Sequence, residues 1–354
     1  MTLLEATCAR IREPDTRVAV EMQRRLDDKT KPRGSLGRLE EIACQVAAIR
    51  GDIDTAALPP RKAVVVMGAD HGVAEESVSA YPQEVTAQML LNFARGGAAI
   101  NVLARQAGAR VVVVDMGVKT ELPALPEIRS LRIGAGTRNF TREPAMSRAE
   151  ALRALEAGID IATELAADGI TLLGIGDMGI CNTTSSSALT AAFTGAPPAE
   201  VVGRGTGIDD DGLHRKIDVV RRALALHRPD AADAVGTLAQ LGGYEIAGLA
   251  GVVLGAVAAR VPVIVDGFIC GAAALAAARI APAAAASLIA SHRSVEAGHR
   301  AVLKAIGQRP LLDLDLRLGE GTGAVLAMNL VEAALAIVRE MATFASAGVT
   351  DRDA

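Results

Sequence analysis

The sequence predicts an α/β protein, a doubly wound parallel sheet with a small helical domain built from both termini beside it. Four short β-branched runs, at residues 63–67, 111–114, 170–173 and 263–265, each end in Gly and Asp and each precede a helical stretch. Continuous apolar strands alternating with helices indicate a parallel sheet covered on both faces. Apolar residues at helical spacing occupy 18–26 and 36–49 near one end and 324–341 near the other. Half of the 354 residues are hydrophobic, yet there is no Trp and there are only two Tyr and five Phe. The core is therefore made of Ala, Val, Leu and Ile, side chains small enough for helices to lie close on a sheet. The expected division is residues 1–60 for the N-terminal helices, 61–300 for the sheet domain, and 301–354 for an active-site loop and the C-terminal helix.

Composition narrows the function. A formal charge of −4, no long basic run and few aromatics argue against nucleic acid, which needs a basic surface and stacking platforms. The longest apolar stretches, around 246–259 and 272–286, are broken by Gly, Arg or Pro and are too short to span a bilayer, so no membrane partner is expected. Residues 1–15 already carry Glu5, Arg10, Arg12 and Glu13, unlike a signal peptide. Cys8, Cys44, Cys181 and Cys270 are scattered without CxxC spacing, which disfavours structural zinc and disulfides and fits a reducing cytoplasm.

Taken in order, the helix at 18–26 is followed by Lys31-Pro32-Arg33-Gly34-Ser35-Leu36-Gly37-Arg38-Leu39-Glu40. This segment reads as a turn with Ser35 opening the next helix, or as three cations meeting an anion. The right-handed crossover rule brings the Gly/Asp ends of the four strands to one edge of the sheet, where doubly wound folds bind ligands. Asp70, Asp115, Asp177 and Asp266 thus become candidates for one acidic crevice, as helix caps for the most part or as a Mg²⁺ site. After the first strand, the loop from Ser77 to Gln88 holds Ser79, Tyr81 and Pro82. An aromatic ligand could be sandwiched there, or Ser79 or Pro82 could simply start a helix.

Gly174-Ile175-Gly176-Asp177-Met178-Gly179 has the GxGxxG spacing, and Asn182-Thr183 opens the following helix. Glycines before a helix N-terminus offer free backbone N–H groups to an anion. A dinucleotide fingerprint also needs an acid at the end of the next strand. That strand is expected at Val201-Val202 and ends instead in Gly203-Arg204-Gly205-Thr206-Gly207, so a mononucleotide held by two glycine loops fits better than NAD. Lys216 and Ser291-His292-Arg293-Ser294 add partners for phosphate or carboxylate, or are solvated surface. No GxSxG elbow supports a hydrolase.

Near the C-terminus stands Arg317-Leu318-Gly319-Glu320-Gly321-Thr322-Gly323, with Thr322 as the expected N-cap of the last helix. A Glu that merely compensates a helix dipole does not need its neighbours stripped of side chains. Glu320 is therefore the candidate general base. A pure nucleotide binder would have no use for it. A non-catalytic nucleotide-binding protein and an NAD-dependent oxidoreductase are the rival readings.

Together these segments, with Ala69-Asp70-His71-Gly72-Val73, Gly96-Gly97, Pro144-Ala145-Met146-Ser147, Asp266-Gly267-Phe268 and Asp218-Val219-Val220-Arg221-Arg222-Ala223, resemble the nicotinate-nucleotide:5,6-dimethylbenzimidazole phosphoribosyltransferase family of cobalamin biosynthesis. The resemblance runs in order along nearly the whole chain. It implies a cytoplasmic homodimer with a Rossmann-like sheet, no cofactor and no metal, acting on nicotinate mononucleotide and 5,6-dimethylbenzimidazole. Glu320 matches the family's catalytic glutamate. The resemblance further implies nucleotide and phosphate contacts at Gly176, Asp177, Gly179, Asn182, Thr183, Gly203, Gly205, Lys216, Ser291 and Ser294, and base contacts at Ser79, Tyr81, Gln88, Leu318 and Gly319. Asp177 stands where the family commonly has Glu. Burial should raise the pKa of Glu320 and a helix N-terminus should lower it, and both effects are expected to act.

Overall fold

The computed structural model describes residues 1–350. Six parallel strands form one sheet: β1 Lys62–Ala69, β2 Ala109–Gly117, β3 Ile128–Ser130, β4 Leu172–Met178, β5 Val263–Val265 and β6 Leu288–Ala290. Their order is β3-β2-β1-β4-β5-β6, so the winding reverses between β1 and β4. In such sheets the carboxyl ends of the strands open a crevice at the reversal. There the register sets Met67 beside Asp177, and Gly68 lies between Asp115 and Met178.

Period-two alternation divides the core. Ala63, Val65 and Met67 of β1 face one apolar cluster, and Val64 and Val66 face the other. On the first face the helices Arg148–Ala167 and Tyr244–Ala258 lie almost in backbone contact. A Cβ on Gly158 would fall 1.9 Å from the carbonyl oxygen of Gly248, and one on Gly251 would fall 1.9 Å from that of Leu155. The small-residue composition thus has a packing cause. On the second face the helices Thr16–Asp27 and Arg38–Arg50 pack with the C-terminal helix Thr322–Glu340. Among the described residues this last helix alone is long and apolar enough to cross a membrane, and 56% of its apolar window is buried inside the fold, as a core helix would be.

Several expectations require correction. Val201-Val202 is no strand: Pro198–Val201 is a short helical turn and Val202 its cap, and Val202 packs into the first core. β3 and β6, three residues each, escaped the sequence reading. β4 begins at Leu172 and runs on through Met178, so most of the GxGxxG spacing lies inside a strand and not in a phosphate loop. Its glycines serve packing: a Cβ on Gly176 would come 2.5 Å from the carbonyl carbon of Glu320. The second N-terminal helix opens at Arg38 with Gly37 as its cap, not at Ser35. The helix after the Ser79 loop starts at Val85. Gly321, at φ +87°, takes the cap position expected of Thr322, whose hydroxyl donates to the Gly319 carbonyl at 2.9 Å.

Candidate active site

A cavity of about 480 Å³ opens at the winding reversal, lined by residues that follow β1, β4, β5 and β6 and by the glycine loop before the C-terminal helix. Glu320 lies on its wall, 6% exposed. Its backbone is left-handed at φ +63°, between Gly319 at +83° and Gly321 at +87°. Three consecutive residues in that region hold a non-glycine side chain where chain propensity alone would not put it, a form of local strain that clusters at functional sites. The loop is fixed by two ties. Glu320 N–H donates to the Asp177 carbonyl at 3.2 Å, and the Asp266 carboxylate accepts from Gly321 N–H at 3.2 Å and Ala324 N–H at 3.0 Å. Asp266 therefore caps the C-terminal helix instead of the helix that follows it in sequence.

Among the described residues one donor meets the Glu320 carboxylate, the Ile100 N–H at 3.3 Å, which belongs to the first turn of the helix Ala99–Ala107. Burial raises its pKa and that amide offsets the rise only in part, so of the two opposing effects desolvation wins. A carboxylate that is desolvated and sparsely bonded is a stronger base than a surface glutamate.

Asp177 and Asp266 are also pushed up, to about 6 and about 7, by burial, with like-charge repulsion from Asp177 adding to the effect on Asp266. With Cys270 they form the group whose ligand atoms could surround a metal ion. Their chemistry is otherwise spoken for. Asp177 accepts from Asn182 Nδ2 at 2.9 Å and from Cys270 Sγ at 3.5 Å, and burial keeps the Cys270 thiol protonated, with its pKa far above the ordinary value. The other two strand-end acids also serve as acceptors. Asp70 takes the Lys119 N–H at 2.7 Å, and Asp115 takes those of Gly117 and Val118, each at 2.9 Å. These four residues are not one open acidic crevice.

Of the residues singled out from sequence, the cavity brings together Ser79, Tyr81, Asp177, Gly179, Asn182, Thr183, Gly205, Ser294, Leu318, Gly319 and Glu320. Five others fall outside its lining. Gly176 is packed inside β4, and Gln88 is exposed on the helix Val85–Ala94. Ser291 is buried, donating to the Asp266 carbonyl at 3.1 Å. Lys216 is fully buried and supports the lining from beneath, donating to Thr183 Oγ1 at 2.7 Å and to the Gly203 carbonyl at 3.2 Å. Burial lowers its pKa to about 8. Gly203 is thus part of that support and not of the wall. Met89, Met178, Phe268 and Glu296 line it without having been expected as site residues, and His292, offered as a phosphate or carboxylate partner, lines it as well. A larger cavity of about 960 Å³ lies alongside and shares Ser294 and Glu296, but it holds neither Glu320 nor any strand-end carboxylate.

The profile of the DBI_PRT phosphoribosyltransferase family matches residues 11–349. The chain belongs to that family. It is 57% identical over 352 residues, 99% of each chain, to the nicotinate-nucleotide–dimethylbenzimidazole phosphoribosyltransferase of Chloroflexus aggregans, and 58% identical over 352 residues to that of a Roseiflexus species, again 99% of each. The crystal structure of the phosphoribosyltransferase of the same name from Thermus thermophilus superposes with a TM-score of 0.89 at 49% identity, covering 95% of this chain and 99% of that one. The phosphoribosyltransferase fold is thus the parallel sheet described above. Its lining combines apolar side chains, Val78, Tyr81, Val85, Met89, Met178 and Leu318, with polar groups from Asn182, Thr183, Gly205, Thr206 and Ser294.

Proposed function

We propose that this phosphoribosyltransferase moves the 5-phosphoribosyl group of nicotinate mononucleotide onto 5,6-dimethylbenzimidazole, giving α-ribazole 5′-phosphate and nicotinate, with Glu320 as the general base. The observation that carries the reading is the Glu320 carboxylate, buried on the cavity wall with one donor among the described residues, the Ile100 amide, and a raised pKa. Full-length relatives bearing that enzyme name support the choice of substrates.

The chemistry needs little else. The pyridine nitrogen of nicotinate mononucleotide is cationic while bonded to C1′ of the ribose, so nicotinate departs with the bonding electron pair and needs no general acid. A ring nitrogen of the benzimidazole forms the new bond to C1′, and the proton on its other nitrogen goes to Glu320. One positioned carboxylate is sufficient. Attack opposite the leaving group converts a β-nucleotide into an α-riboside. The apolar lining residues suit a flat methylated bicycle, and Thr183, Gly205 and Ser294 suit the phosphate and ribose. In the same reading the enzyme is a cytoplasmic homodimer, in keeping with its four free cysteines. Its helical domain is built from 1–60 and 301–354, supported by the packing of Thr16–Asp27 and Arg38–Arg50 on Thr322–Glu340.

Incubating the purified protein with both substrates tests the reading: chromatography should reveal nicotinate and α-ribazole 5′-phosphate in equal amounts. Turnover should persist in EDTA, because no step requires a metal. Absence of both products would overturn the reading, and Mg²⁺-restored activity after EDTA would recast Asp177 and Asp266 as ligands.

A further inference from the structure

Glu296 lies on the loop after β6, 8% exposed, on the wall of the active-site cavity. Its backbone is well held, with the N–H donating to Ser294 Oγ at 3.3 Å and the carbonyl accepting from His299 N–H at 3.0 Å. Its side chain is not. Oε2 is buried and receives no hydrogen bond from any described residue. The carboxylate presses on the glycine loop instead: a Cβ on Gly203 would come 2.1 Å from Oε2. Lys216 approaches the same glycine and spends two donors on Thr183 Oγ1 and the Gly203 carbonyl; its charge acts on Glu296 through space, without a contact within ion-pair distance among the described residues. A buried carboxylate oxygen without a donor is destabilising by the full desolvation of that group.

His292 is a second acceptor on the same wall. With the one hydrogen of Ser291 Oγ assigned to the Asp266 carbonyl at 3.1 Å, the 2.9 Å contact between Ser291 Oγ and His292 Nδ1 is donated by the imidazole. That leaves His292 Nε2 with a bare lone pair. Burial keeps the ring neutral, its pKa lowered to about 4. Asp177, the acid that sequence reasoning assigned to the nucleotide, already accepts from Asn182 and Cys270.

We propose that Glu296, with His292 beside it, is the acceptor for the ribose hydroxyls of the nucleotide substrate. Two acceptors short of donors call for a ligand that brings donors. Phosphate at neutral pH and the nicotinate carboxylate bring few or none, whereas the vicinal 2′ and 3′ hydroxyls of a ribose bring two. The carboxylate thus recognises the sugar of the donor and has no part in taking the benzimidazole proton.

The inference rests on the proposed reaction, and the test separates the two. Binding of nicotinate mononucleotide and of its 2′-deoxy and 3′-deoxy analogues is measured by calorimetry, alongside turnover, for the wild type and Glu296→Gln. A hydrogen bond to a charged group corresponds to roughly a 10- to 100-fold change in affinity. The variant should bind the ribonucleotide more weakly by about that factor with an unchanged KM for dimethylbenzimidazole, and its deficit should vanish on at least one deoxy analogue. An equal deficit on all three nucleotides would overturn the proposal and leave Glu296 a structural neighbour of Lys216. Should Glu296→Gln not fold, the wild type decides alone: equal affinity for the ribo and both deoxy forms overturns the proposal. Hydroxyl discrimination without any transfer product would sink the reaction and spare the ribose site, and transfer without discrimination would do the reverse.

Discussion

Glu40 and Glu320 are both buried glutamates that follow glycine-rich turns, and they differ in how many donors meet them. Glu40 accepts from Leu36 N–H at 3.0 Å and Gln23 Nε2 at 3.0 Å, and lies 2.8 Å from Lys31 Nζ, close as an ion pair though poorly angled for a hydrogen bond. Burial opposes its charge, but these partners prevail and its pKa is lowered. Glu320 has the single Ile100 amide, and its pKa is raised. Glycine neighbours are therefore no sign of chemistry by themselves. What decides is whether donors and a nearby cation outweigh desolvation: at Glu40 two donors and Lys31 do, and at Glu320 one amide does not, which leaves that carboxylate with capacity for a proton. The cations of the Lys31 to Arg38 segment need no external anion to explain the buried lysine.

The largest effect that would test this contrast is in turnover. Glu320→Gln keeps the shape but cannot take a proton, and a positioned general base contributes about 10²–10⁴-fold. The variant is expected to lose that much kcat in a nicotinate-release assay while melting like the wild type. Wild-type kcat should itself fall as pH drops through the raised pKa of Glu320, giving an acid limb above the ordinary glutamate value of about 4.3. Near-normal turnover by the folded variant would end the general-base assignment.

At Glu40 the outcome should be the reverse. Glu40→Gln leaves Lys31 buried beside a neutral amide, and breaking a buried pair is destabilising by about 3 kcal/mol, the lower end for such pairs. Urea denaturation should register the loss, while kcat per folded molecule stays unchanged. A large fall in kcat with unaltered stability would show that this segment serves catalysis after all.

The two glutamates also show how far the sequence could be read. Glu320 was legible because its three glycines stand within five residues of one another. β1, β2, β4 and β5 were legible because each holds an uninterrupted apolar run. β3 was not, since Ile128-Arg129-Ser130 holds no apolar run, and neither was β6, since Leu288-Ile289-Ala290 follows an alanine-rich stretch and reads as its tail, whereas the equally short β5 is set off by Pro262 and by Asp266-Gly267. Glycines in Gly174-Ile175-Gly176 looked like a loop because spacing cannot tell a phosphate turn from a strand whose glycines admit the Glu320 backbone and the side chain of Met328. Glu296 carried no local signal, and His292 only its place in Ser291-His292-Arg293-Ser294. Their burial comes from contacts with Gly203, Gly267 and Gly323, remote in sequence, and Ser-Val-Glu-Ala-Gly reads as surface.

The smallest effect concerns the acids behind the Glu320 loop and extends the comparison to the pH dependence of stability. Asp177 and Asp266 are held above their ordinary pKa, at about 6 and about 7, chiefly by burial. Being close and coupled, they titrate as a pair. Between about pH 4 and 7 the folded protein therefore keeps protons that the unfolded chain has released, and stability must fall as pH rises through that window. Glu40 gives the opposite sign: its lowered pKa contributes stability above about pH 4 that is lost on further acidification. Asp266→Asn removes one titrating group; its one amide oxygen can replace only one of the two carboxylate oxygens that accept separately from Gly321 and Ala324, so the variant should also be less stable at every pH, and the slope, not the absolute stability, carries the test. It should flatten the slope of unfolding free energy between pH 4 and 7 by at most about 1.4 kcal/mol per pH unit, the limit for one proton. Thermal or urea melts of both proteins across that range measure the difference. Superimposable slopes would mean that Asp266 stays ionised in the fold, its helix amides outweighing burial as the partners of Glu40 do, and would place Asp266 with Glu40 and apart from Glu320.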